Sequence, residues 1–264
     1  MDWKNETKKQ WNTTPCGSQG EIITDLNYFL DLEKNRLLEH PWMKEIYPIH
    51  GGATNSKILE VGFGQGTDLV QFAKAGYECY GIDLTTKHYE LANKNFSLRE
   101  LKANLTLGDA SKLPYEDEFF DVVYSFGVLH HTPDIDKCVD EIYRVLKREG
   151  EFTIALYNRN SAFYLISKLL VDGILKGWLF KLGIKGLRST IEFGADGKNI
   201  KPLVILYTKK KTKNVLHKFK IESVTIKHLE RSHFWKFGYL LPNWVIKKLE
   251  KCLGWYVIIK ARKI

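Results

Sequence analysis

The segment Glu60-Val-Gly-Phe-Gly-Gln-Gly66 places three glycines at alternate positions directly after a short β-rich run, Lys57-Ile-Leu-Glu-Val61. Glycine lets a backbone turn sharply and approach a ligand closely, and the free amides that open a following helix favour an anionic group such as a carboxylate. A dinucleotide fingerprint, GxGxxG, would need glycine at position 67, where this chain has Thr67. Glu60, two residues before the first glycine, is suited to orienting the turn and meeting an ammonium group, whereas it would repel a pyrophosphate. The turn therefore fits a nucleoside-bearing amino acid better than a dinucleotide; a plain tight turn without a ligand is the alternative.

Two more acids follow at the ends of later β-rich runs. Asp83 stands 21 residues beyond Gly62, close to the spacing of a ribose-binding acid after such a turn. Asp109, in Leu107-Gly-Asp-Ala110, offers an acceptor for an exocyclic adenine amine. Each alone is as readily a helix cap or a turn residue; in order, at three successive strand ends, they form a constellation. His130 and His131 follow a fourth run, and an imidazole there suits proton abstraction from an acceptor, while capping a helix or packing against the cofactor shelf is the competing role. Tyr157 opens an irregular segment, a position suited either to contacting an acceptor or to entering a helix. Trp11 and the Thr14-Pro-Cys-Gly17 turn either close over the ligand or anchor an N-terminal cap.

The elements that must position these residues alternate. Strands are expected at 57–61, 78–82, 105–107, 121–126 and 151–156, with helices at about 67–75, 87–102 and 135–146 between them. Such alternation predicts a doubly wound, mostly parallel α/β sheet. Residues 1–50 read as an N-terminal helical cap, with a polar start and a helical pattern from Glu21 to Leu38; 51–157 form the core. Residues 158–206, Gly-interrupted and amphipathic, read as an inserted lid, and 207–264 complete the sheet with a helix near 211–219 and strands at 221–227 and 255–260.

The resemblance is then plain. Ile58-Leu-Glu-Val-Gly-Phe-Gly-Gln-Gly-Thr67, Gly81-Ile-Asp83, Gly108-Asp-Ala110, Asp121-Val-Val-Tyr-Ser125, Val128-Leu-His-His131 and Arg144-Val-Leu-Lys-Arg-Glu-Gly150 resemble class I S-adenosylmethionine-dependent methyltransferases, closest to the type 11, ubiquinone/menaquinone-biosynthesis-like group. The resemblance implies a Rossmann-like, seven-stranded sheet and S-adenosylmethionine as cofactor. It implies that Glu60, Gly62, Phe63, Gly64 and Gly66 line the methionine part, that Asp83 and Leu84 hold the ribose, and that Asp109 and Ala110 flank the adenine. Ser125 and Phe126 would border the sulfonium. Phe63 replaces a small residue common there and is expected to narrow the cofactor entrance.

Composition bounds the partners. The chain of 264 residues, 44% hydrophobic and 27% charged, is of ordinary globular make-up and excludes a disordered or fibrous protein. Its net charge of +9 is unevenly spread: residues 1–150 hold 17 Lys and Arg against 24 Asp and Glu, residues 151–264 hold 23 against 7. A basic half fits a solvated surface, an RNA track or anionic lipid. Cys16, Cys79, Cys138 and Cys252 show no metal-ligand spacing, so no metal is expected. The polar N-terminus and the lysine-interrupted stretch 163–184 point to a cytoplasmic protein without a spanning helix. The expected activity is methyl transfer to a small-molecule or lipid-like acceptor, with transient contact to anionic membranes. An RNA methyltransferase and a non-catalytic S-adenosylmethionine-binding protein are the alternatives, nucleic acid being the weaker partner because no Asn/Asp-Pro-Pro-aromatic motif follows the fourth strand. His233-Phe-Trp-Lys-Phe-Gly-Tyr-Leu-Leu-Pro242 mixes aromatic and basic residues and reads as core or lid packing, with stacking of an acceptor or a base as the alternative.

Overall fold

The computed structural model describes residues 3–18, 24–47, 55–192 and 202–264. Five strands, β1 (Lys57–Val61), β2 (Glu78–Asp83), β3 (Asn104–Leu107), β4 (Phe120–Phe126) and β5 (Leu146–Tyr157), run parallel. With β6 (Phe219–Lys227) and β7 (Tyr256–Lys263) they make one seven-stranded sheet of order β3-β2-β1-β4-β5-β7-β6, in which β7 is antiparallel to both its neighbours. Strand order reverses between β1 and β4, and a crevice opens at their carboxyl ends, where ligands bind in such sheets. Glu60 sits in that central pair, in register with Tyr124 on β4 and Gly81 on β2.

Helices cover both faces, as parallel strands buried on two sides require. On one face α3 (Met43–Ile46), α4 (Thr67–Lys74) and α5 (Thr86–Leu98) pack on Ile58, Tyr124 and Ile258. On the other, α6 (Ile135–Val145) buries Ile135, Cys138, Val139, Ile142 and Val145, a stripe at helical spacing, and α8 (Lys209–Val215) packs beside it.

Four expectations need correction. The polar start is a helix, α1 (Trp3–Thr13), whose inner face carries Thr7 and Gln10 rather than an apolar stripe, so apolar periodicity gave no sign of it. The next helix, α2 (Leu26–Glu39), begins at the Asp25 cap, whose side chain accepts from the Tyr28 amide; of the expected span from Glu21, residues 21–23 lie outside the described residues. β5 starts at Leu146 rather than 151, running through Gly150 with a register shift between Phe120 and Val122 on β4. The C-terminal helix covers Lys209–Val215, and Phe219 already belongs to β6. The lid region contains a π-helix (Phe163–Leu175) and α7 (Trp178–Ser189), the latter broken at Gly183. Between β6 and β7 lie a 3-10 run (Arg231–Leu240) and α9 (Asn243–Leu253), neither of which the sequence pattern disclosed.

Candidate active site

The glycine turn is shaped by packing as much as by openness. Gly62 has φ +80°, and a Cβ there would lie 2.2 Å from Val128 Cγ2, so only glycine fits between β1 and the loop after β4. Gly64, at φ +53°, has no atom within 4 Å of its Cβ position and presents bare backbone to a cavity of about 450 Å³. Gly66 caps α4. Phe63 also borders the cavity, but its side chain is buried, with its ring against Gly81, where an added Cβ would meet it at 2.6 Å. The expected narrowing of the entrance by Phe63 is therefore corrected; its side chain fills the space that glycine at 81 leaves.

Three acids reach the same cavity with different partners. Asp83 is buried and accepts from the Gly64 amide (3.0 Å), the Thr85 amide (3.0 Å) and the Thr85 hydroxyl (2.9 Å). His88 adds a fourth donor: its Nε2 accepts from the Cys16 amide, which leaves Nδ1–H to face both Asp83 oxygens at 3.2 Å. Burial pushes the Asp83 carboxyl up, but His88 and these donors prevail and hold it below the usual aspartate range. Asp109, half-buried, accepts from Lys4 Nζ on α1 (2.6 Å) and from Ser111; burial opposes this, yet the Lys4 and Ser111 bonds lower its pKa. Glu60 is the opposite case. It is 4% exposed, its Oε2 has no hydrogen-bond partner among the described residues, and burial, with Asp68 close by, holds its carboxyl well above the usual glutamate range. Next to it Arg36 of α2 forks onto Asp68 (3.2 and 2.8 Å), which also accepts from the hydroxyls of Tyr47 and Tyr124.

Leu84, Ala110 and Trp11 line the cavity, as does Phe126, whose ring packs on Trp42 and Tyr256. Ser125 does not: its buried hydroxyl donates to the Val61 carbonyl (3.1 Å) inside the sheet, because alternate residues of β4 face opposite ways. The placement of Ser125 at the sulfonium is corrected on that ground.

The two histidines part company. His130 is wholly buried, packed against Tyr157 with tilted rings whose centroids are 3.7 Å apart; neither ring nitrogen has a hydrogen-bond partner among the described residues, and burial followed by the neighbouring His131 holds its pKa well below the usual value. Unlike His131, it does not line the cavity. The Nδ1 of His131 lies 2.7 Å from the Leu203 carbonyl, which can only accept, so Nδ1 carries a proton and, in the neutral ring, Nε2 is the accepting nitrogen. That Nε2 has no hydrogen-bond partner among the described residues and stands 4.0 Å from Glu192 Oε1. Tyr157 also lines the cavity and donates its hydroxyl to Glu192; burial and then Glu192 raise its pKa well above the ordinary value, so it remains a phenol and a donor rather than a base.

His130, His131 and Glu192 are the one group of described residues with donor atoms near enough to share a metal ion, all within 4.8 Å of one another. Tetrahedral zinc ligands sit about 3.4 Å apart, so this cluster is looser than a formed site.

The chain also matches known proteins. Residues 59–154 match the family model of a methyltransferase domain. Over those residues the chain is similar to the class I S-adenosylmethionine-dependent methyltransferases of the type 11 group. The uncharacterized methyltransferase YcgJ of Bacillus subtilis (strain 168) is 33% identical over 145 residues, 54% of this chain and 54% of the relative. A demethylmenaquinone methyltransferase of Streptomyces avermitilis is 32% identical over 133 residues, 50% of this chain and 54% of the relative. The chain thus spans about half the length of these curated relatives. Magnesium protoporphyrin IX methyltransferase from Synechocystis PCC 6803, solved with bound S-adenosylhomocysteine (SAH), has the same fold, with a TM-score of 0.60, 13% identity and full coverage of both chains.

This core fits the cofactor of that group on its own geometry. Gly64 leaves backbone open to the cavity, and Glu60 Oε2 is an orphaned buried acceptor beside it, as an α-ammonium group requires. Several lining residues had no signal as site residues in the sequence. His88 lies five positions past Asp83, one helical turn into α5, a spacing that would have been readable; Lys4, Arg36 and Glu192 reach the cavity only through tertiary packing.

Proposed function

We propose that this protein transfers the methyl group of S-adenosylmethionine to a small-molecule or lipid-like acceptor. The observation that carries the proposal is that one cavity is lined both by Glu60, whose buried Oε2 has no hydrogen-bond partner among the described residues, and by His131, whose Nε2 is likewise unbonded among them. When bound, S-adenosylmethionine supplies a methyl on a positively charged sulfur that leaves as a neutral thioether, so the protein need chiefly align the acceptor and exclude water. Glu60 receives the ammonium and loses its own proton; Asp83, with its charge secured by four donors, sets the Gly64 turn and offers oxygens to the ribose. Asp109 and Ala110 flank the adenine, with Asp109 held in place by Lys4. Leu84 and Phe126 supply apolar walls, and Trp11 on α1 covers them. On the acceptor side Nε2 of His131 takes the proton of a hydroxyl or acidic carbon, and the Nδ1–H bond to Leu203 keeps the imidazole in the tautomer able to do so. Tyr157 and Glu192 form a hydrogen-bonded wall that orients the acceptor.

The acceptor classes in the names of the two characterised relatives, a demethylated menaquinone and a magnesium porphyrin, support a flat, largely apolar molecule. Four unpaired cysteines support a reducing, cytoplasmic setting, and no helix among the described residues is long and apolar enough to cross a membrane.

The test is transfer of a radiolabelled methyl group from S-adenosylmethionine into separate lipid, small-molecule and RNA fractions of a cell extract, beside calorimetric titration of the cofactor. Label in the lipid or small-molecule fraction is expected. Label confined to RNA would establish the RNA alternative, tight binding without transfer into any fraction would leave a non-catalytic binding protein, and absence of binding would overturn the proposal.

A further inference from the structure

The lid and the segment before β7 form one surface. The π-helix packs on the 3-10 run, where the Ser167 hydroxyl donates to the His233 carbonyl and Phe163 packs on His233 at 5.3 Å. This surface is apolar where it should be wetted. Leu175, Phe180, Phe237, Tyr239, Leu240 and Trp244 are 64 to 80% exposed, far more large apolar area than a monomer usually leaves to water. α9 contains no buried residue at all. The same segments, 163–192 and 231–253, carry ten Lys and Arg against three Asp and Glu, with Lys181, Lys236, Lys247, Lys248 and Lys251 exposed among the aromatic groups.

We propose that this face docks on an anionic lipid bilayer, with its aromatic and leucine side chains in the headgroup region and its lysines against the lipid charge. Aromatic tips, broken short helices and a surplus of lysine are what an interfacial segment needs. Charge complementarity favours that occupant over a second copy of the chain, because two such faces would bring like charges together. The position also suits delivery of an apolar acceptor. The face is joined to the cavity through three rings in contact, Phe163 edge-on to Trp255 at 4.7 Å and Trp255 stacked on Tyr157 at 4.3 Å, and Tyr157 lines the cavity. Delivery to the site rests on the methyltransferase proposal; the docking itself does not.

Co-sedimentation with vesicles of phosphatidylcholine alone and with added phosphatidylglycerol tests it. Binding to the anionic vesicles, weakened by salt, is expected, with at least about a tenfold lower partition for Phe180→Ser and for Leu240→Ser, since each removes an apolar group the bilayer would bury. Both positions are exposed, and an unchanged far-UV dichroism and unchanged S-adenosylmethionine affinity in the variants separate lost docking from lost folding. Background binding to anionic vesicles at low salt would overturn the docking. So would a dimer, seen by light scattering, that Phe180→Ser dissociates. Cofactor binding without vesicle binding removes the docking alone, and vesicle binding without cofactor binding removes the methyltransferase proposal alone.

Discussion

The two halves of the cavity are built by opposite means. The proposed cofactor half takes Glu60, Gly62, Gly64, Asp83 and Asp109 from the ends of three neighbouring strands, and its short-range bonds, Asp83 with Thr85 and Asp109 with Ser111, span two residues each. The acceptor half takes His131, Tyr157 and Glu192 from segments far apart, joined by the bonds of His131 to Leu203 and of Tyr157 to Glu192. Local construction makes a site repeatable across a family, whereas assembly from distant segments lets it vary with the acceptor.

The largest expected effect tests whether α2 belongs structurally to the cofactor half. Arg36→Met removes the cation that forks onto buried Asp68 and should lower stability by about 3 kcal/mol or more in urea unfolding; a loss under about 1 kcal/mol would show that α2 merely lies on the core. Asp83→Ala removes the acceptor of four donors and should weaken S-adenosylmethionine binding about 100-fold by calorimetry, at roughly 1.5 to 3 kcal/mol per charged hydrogen bond. An unchanged affinity would break the division of labour.

His131→Ala is the converse, expected to slow transfer about 100-fold while leaving cofactor affinity within about twofold; equal losses in both would mean that the halves are not separable. Smaller still is a pH effect. Because the carboxyl of Glu60 lies well above its usual range, it is protonated at low pH and must ionise to receive an ammonium. Cofactor affinity should therefore rise with pH, by up to about tenfold per unit below the raised pKa, with proton release on binding, and Glu60→Gln should flatten the profile. Lys4→Ala, which breaks a pair more than a third exposed on both sides, should cost no more than about 1 kcal/mol in thermal unfolding.

Much of the fold was legible because the signals are local. The run Lys57–Val61, the glycines after it and the stripe of α6 are each readable within a window of one element. α1 was not, because the residues it buries are the polar Thr7 and Gln10 rather than an apolar stripe. The alternation of β4 put Ser125 and Phe126 on opposite faces, and only the assembled sheet and its covering elements decided that Phe126 borders the cavity while Ser125 bonds Val61. Adjacent in sequence and identical in type, His130 and His131 differ only in surroundings: one is enclosed by Tyr157 and the other bonds Leu203 and meets the cavity.

What the sequence by itself determined is the core and the cofactor class. A glycine turn after a strand, and acids at the ends of the next two, form a pattern whose meaning survives translation into any doubly wound sheet, since strand ends meet at the switch point whatever the loops do. What only the tertiary structure decided is which groups confront the acceptor. Glu192 comes from 61 residues beyond His131, and no local rule brings them together. The lid and α2 pack by burying side chains against whatever surface the finished sheet presents, and that surface exists only once the chain has folded.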